Sequence, residues 1–146
     1  MCIIRDDSIQ PTYENGVSVQ YKVVEADDNG SPLTLVNALL YKPGTKVESG
    51  REKWVSAYPK KPNDIGIHTF HNLRDAKSCS YEINIRRPIG SVLLPRTKVI
   101  RVLCRERDHI CSGVFSDDHT PNSVWERVEV PTDCDLLEPE EALACV

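Results

Sequence analysis

The chain has 146 residues, 40% of them hydrophobic and 27% charged, with a net charge of −4. That is enough to close one hydrophobic core without cross-links and too little for two full domains, and the balance is not that of a disordered chain. No apolar run approaches the roughly 18 residues a bilayer crossing needs, and the start carries Asp6 and Asp7 where a leader would be basic and greasy, so the expectation is a soluble, cytoplasmic protein with no membrane partner.

In chain order, Val17, Val19, Tyr21 and Val23 alternate with Ser18, Gln20 and Lys22, which predicts a strand with one wet face. Asp27, Asp28, Asn29 and Gly30 supply a turn, and the apolar run 33–41 is its partner strand, ended by Pro43 and Gly44. A short aromatic-ended segment at 54–58 stops at a proline-rich basic loop over 59–64. Residues 65–70 resume an extended pattern, and Asn72 with Asp75 three residues on reads as the start of a helix of a turn or two. Tyr81, Ile83 and Ile85 alternate with Glu82, Asn84 and Arg86, predicting a further half-buried strand closed by Pro88. A brief apolar piece at 92–94 precedes the best strand, 98–107, with Ile100, Val102 and Cys104 on one side and Val99, Arg101, Leu103 and Arg105 on the other. Two more strands are expected over 110–115 and 124–130, separated by a turn cluster at 117–122.

Seven or eight short strands with dense prolines and little helix predict a mainly β fold, α+β at most. The expected form is a single-domain antiparallel sheet or a small barrel or sandwich with one short central helix over residues 1–130. Residues 131–146 form an acidic tail, in which Pro139 with Glu140 and Glu141 suits the start of a helical turn that docks or frays.

Charge is segregated along the chain. Residues 1–41 carry 2 basic and 6 acidic side chains, residues 42–107 carry 15 and 6, and residues 108–146 carry 1 and 10. Such a basic middle either presents a positive face to an anionic partner or is neutralised by the acidic ends. The candidate face is Arg86, Arg87, Lys98, Arg101, Arg105 and Arg107, since arginine forks grip phosphate and carboxylate pairs. A single-stranded nucleic-acid platform would interleave aromatics with these arginines for base stacking, and only Tyr81 and Phe115 lie near them.

The six cysteines, Cys2, Cys79, Cys104, Cys111, Cys134 and Cys145, show no close pair and read as reduced thiols. His68 and His71, with Cys104, His109, Cys111 and His119, lack the paired spacing of a zinc site, so no metal is expected. No cysteine has a neighbouring base, and no catalytic set stands out.

The segment Gly66-Ile67-His68-Thr69-Phe70, followed by Asp75-Ala76, resembles a pattern in small uncharacterised phage and bacterial proteins, with residues 40–42 and the strand at 98–107 in similar order. That resemblance implies a β-rich core and a viral or mobile-element setting. The same stretch is similar to the Gly-Ile-Tyr segment of ADP-ribosyltransferases, with His68 in the tyrosine's place. This second resemblance implies an NAD cleft in which Tyr41, His68 and Glu126 (or Glu129) would stand as the catalytic set, although the family's early His-Gly or Arg pair is missing. The leading expectation is a non-enzymatic interaction protein that binds a protein or an anionic ligand through its basic face without a cofactor. The alternatives are an NAD-binding transferase-like enzyme and a nucleic-acid-binding module.

Overall fold

Residues 3–26, 32–34, 39–49, 66–86, 96–115 and 120–141 are described by the computed structural model of the chain. The centre is a long antiparallel pair, β2 (Val17–Ala26) with β6 (Thr97–Arg105), in unbroken register from Val17 opposite Arg105 to Glu25 opposite Thr97. Both strands are rich in valine and isoleucine, whose branched side chains fill a pleated surface well.

Among the described residues seven further strands extend the pair: β1 (Ile3–Arg5), β3 (Pro32–Thr34), β4 (Lys46–Glu48), β5 (Ile67–Phe70), β7 (His109–Phe115), β8 (Pro121–Trp125) and β9 (Arg127–Glu129). The order across the sheet is β1-β7-β8-β5-β2-β6-β9-β4, and β3 pairs with the end of β2. All these pairings are antiparallel, and among the described residues the sheet does not close, with β1 and β4 at the two ends of its order. The fold is mainly β, with one α-helix among the described residues, α1 (Leu73–Arg86). Among the described residues no helix is long and apolar enough to cross a membrane.

Each face of the sheet carries its own core. Val24, Ile100, Val102 and Cys104 point to one side, where Tyr41, Val47, Ile67, Trp125, Val128 and Val130 complete the larger cluster. Val23 and Val99 point to the other, under α1, with Phe70 and Ala76. A small third cluster of Cys111 and Val124 with Ile110 lies near the β1 edge. At that edge Gly113 faces Ile4 so closely that a Cβ there would stand 1.9 Å from the Ile4 carbonyl oxygen, which is why glycine is required.

Several sequence expectations need correction. Tyr81, Ile83 and Ile85 do not form a strand; they lie within α1, which starts at Leu73 as the Asn72 cap predicts and runs on to Arg86. Residues 124–130 form two strands and not one, because the chain breaks at Glu126. The wet face expected for β2 is turned inward, with Ser18 and Gln20 buried while Val19 is 45% exposed. The tail is docked through residue 141 by Leu137, which pairs with Val99 through two backbone hydrogen bonds of 2.7 and 2.9 Å, and no helix forms at 139–141. The expected pieces at 54–58, 59–64 and 92–94 and the turn at 27–30 lie outside the described residues.

Candidate functional site

The inward-facing polar positions of β2 are the start of the candidate site. Gln20 is the register partner of Val102 and Ser18 that of Cys104, so both share the face of the larger core. Lys22, opposite Ile100, has the same orientation by the two-residue period of the strand. Across β5, β8 and β7 the same face bears Thr69, its partner Ser123, and Ser112 beyond it.

Two hydrogen-bond chains satisfy this layer. In the first, the Trp125 indole Nε1 donates to Thr69 Oγ1 at 2.8 Å, Thr69 donates to Gln20 Oε1 at 3.0 Å, and Gln20 Nε2 donates to Ser18 Oγ at 2.8 Å. In the second, His71 Nε2 lies 2.5 Å from Ser123 Oγ, Ser123 Oγ lies 2.6 Å from Ser112 Oγ, and Ser112 Oγ lies 2.7 Å from His109 Nε2. The serines are buried and the imidazoles half-buried, with His109 against the edge of Trp125 at 5.1 Å between ring centres. Burial lowers the pKa of both imidazoles, and the proximity of His109 lowers that of His71 further.

Lys22 stands apart from this satisfied layer. It is half-buried, and among the described residues no carboxylate comes within ion-pair distance of it. Burial pushes its pKa down to about 8, with Cys79 opposing weakly. An enclosed ammonium without a counter-ion is costly for the fold and available to an incoming anion.

The outer arginine row is differently disposed. Arg105 Nε lies 2.9 Å from a Glu129 oxygen, Arg101 meets Asp133 at 3.5 Å, and Lys98 meets Glu138 at 2.5 Å. Arg86 lies at the end of α1, 4.0 Å from Glu82, and Arg107 is exposed in the short 3₁₀ turn Glu106–Asp108. Arg87 lies outside the described residues. Arg101 and Arg105 do share a face of β6, as their spacing predicts, yet acids from β9 and the docked tail cover that row. The charge segregation along the chain is thus compensated here by contacts across the fold.

The catalytic set implied by the transferase resemblance is not assembled. Tyr41 is 1% exposed within the larger core. His68 is the partner of Val124 and so faces the opposite side of the sheet from Ile67 and Trp125, which pack in the core with Tyr41. Glu126 is exposed at the break between β8 and β9, its backbone N–H donating to the Asp108 carbonyl at 2.8 Å. Among the described residues no three His, Cys, Asp or Glu side chains converge as a metal site would need, and Cys79, Cys104, Cys111 and Cys134 are thiols.

Sequence reasoning missed Lys22, Gln20, His71, His109, Ser112 and Ser123 as a group. The one available signal was the two-residue period, Ser18-x-Gln20-x-Lys22, read with the wrong face inward, and Thr69-x-His71, for which no inward face was read. Comparison of the chain with family models, with curated proteins and with solved structures finds no match.

Proposed function

We propose that this chain is a non-enzymatic binding protein for a small anionic ligand, with Lys22 as the cation that meets it. The observation that carries this reading is the contrast between Lys22, half-buried and without a carboxylate partner among the described residues, and Lys98, Arg101 and Arg105, each held by an acid. An anion reaching Lys22 would recover the Coulomb energy that burial now withholds, whereas one approaching the outer row must first displace Glu129, Asp133 or Glu138. The polar layer of β2 and β5 offers hydroxyl and amide groups close to that position. A phage-associated setting accompanies the reading and rests on the sequence resemblance alone, and an intracellular one rests on the acidic start and the unpaired spacing of the cysteines.

Thermal unfolding of the whole chain in pyrophosphate, in NAD and in a short single-stranded oligonucleotide, each at low and high salt, tests the proposal. A rise in Tm with pyrophosphate that Lys22→Met removes, and that Arg101→Glu with Arg105→Glu leaves in place, is the expected result. Loss of binding in the arginine double variant alone would return the site to the outer row. Stabilisation by NAD but not by pyrophosphate would favour the transferase-like alternative, and oligonucleotide affinity falling steeply with salt would favour nucleic acid. No stabilisation by any of the three overturns the reading.

A further inference from the structure

The chain His71, Ser123, Ser112, His109 crosses β5, β8 and β7 through three short contacts, and its hydrogens can be counted one by one. Each contact needs one hydrogen between its two heavy atoms. The two hydroxyls own one hydrogen each, so they serve only two of the three links. Both serines are buried and make no other side-chain hydrogen bond among the described residues, so the third hydrogen must come from an imidazole Nε2. Were both imidazoles to present Nε2–H, four hydrogens would compete for three links and one hydroxyl hydrogen would be stranded in the interior. The network therefore holds one donor imidazole and one acceptor imidazole at a time.

We propose that these four side chains form a single-proton relay that carries one proton between His71 and His109 through the Ser123 and Ser112 hydroxyls. With His71 as the imidazolium, its Nε2 proton passes to Ser123 Oγ, the Ser123 hydrogen to Ser112 Oγ, and the Ser112 hydrogen to His109 Nε2. His71 ends neutral, His109 ends charged, and both serines end as hydroxyls. Three hydrogens move and no ion is left on oxygen. The same count makes a second proton unwelcome, because a doubly charged pair breaks a link and sets two cations against each other.

Each end of the relay carries a group that favours the charge. Burial is the largest influence on both rings and disfavours charge on each; Asp75, in the first turn of α1, favours it on His71, and the contact with the Cys111 backbone favours it on His109 by more than Arg5 of β1 disfavours it there. The inference is independent of the anion-binding proposal, since it uses neither Lys22 nor a ligand.

Nitrogen-15 NMR of histidine-labelled protein decides it. Above both titrations, His71 and His109 are expected in opposite tautomers, one Nε2–H and one Nδ1–H, or exchanging between them with populations that sum to a single Nε2 hydrogen. The same tautomer in both rings overturns the relay, and that measurement needs no variant. On acidification one ring is expected to charge first, with the second step displaced by more than about one pH unit. In Ser123→Ala the two rings should titrate independently; unchanged separated steps in that variant would also overturn it. Should Ser123→Ala not fold, Ser112→Ala cuts the same chain at its other hydroxyl and is held to the same outcome.

Discussion

Trp125 and Thr69 meet on the inner face of the sheet, the indole N–H donating to a hydroxyl 2.8 Å away that in turn donates to Gln20. One threonine oxygen therefore satisfies two enclosed groups on two other strands. Thr69→Val keeps the shape and strands both, and is expected to cost about 2–4 kcal/mol in urea unfolding. Thr69→Ser should recover most of the loss, because it restores the hydroxyl.

Lys22 makes a prediction whose sign is fixed by burial. Its pKa is lowered in the fold, from 10.5 to about 8, so between those values the unfolded chain binds more protons and stability gains from this group as pH rises. At pH 7 the charge is present and unfavourable. Lys22→Met is expected to stabilise the protein there by about 1–2 kcal/mol, less than the roughly 3 kcal/mol of a fully enclosed ammonium. The advantage should shrink from pH 8 to 10.5, as read from paired urea melts of the two proteins.

The outer row predicts little. Arg105 and Glu129 form an exposed pair, with side chains 43% and 21% accessible, so Arg105→Ala is expected to cost less than about 1 kcal/mol, and less again in high salt. A larger, salt-independent loss in thermal unfolding would mean that the pair is enclosed in solution.

Asn84 predicts a large effect from an unremarkable position. Its amide donates to the Thr97 carbonyl at 3.1 Å and accepts from the Thr97 backbone N–H at 2.9 Å and hydroxyl at 2.9 Å, while Ser80 bonds the same hydroxyl at 2.7 Å. Asn84→Ala strands these groups beneath α1 and is expected to cost about 2–4 kcal/mol, with faster amide exchange along α1 than along β2.

Acid should weaken the fold through the two imidazoles. Both have pKa values below the ordinary 6.5, so the unfolded chain binds protons first and stability falls as pH drops below about 6.5. His71→Gln should flatten that slope in pH-dependent urea melts.

These residues also show where the sequence was readable. The central strands were legible, β2 from the alternation over 17–23 and β6 from an apolar side, Ile100, Val102 and Cys104, with a half-apolar second side. The second half of α1 was misread because its buried positions, Ala76, Ser80 and Asn84, are small or polar, so the helical period at four-residue spacing carries no hydrophobic signal. Tyr81, Ile83 and Ile85 meanwhile alternate as a strand would, with Ile85 57% exposed. The polar layer was hidden for a different reason. Ser123 and His71 stand 52 residues apart and meet only through sheet register, which no local pattern encodes. The face of β2 was inverted because its glutamine is satisfied by Thr69 of β5 and its serine by that glutamine, instead of by water.

The register of β2 with β6 also governs the order in which the molecule can be assembled. Val17 must wait for Arg105, and Glu25 for Thr97, so during translation the middle strand emerges with both borders open long before its principal neighbour exists. Separation of that kind slows collapse to the native arrangement and leaves Val23 and Val24 available to other nascent chains in the interval. Chaperone dependence, and a yield that falls with expression rate, are the practical consequences expected of placing a long early strand at the middle of the sheet.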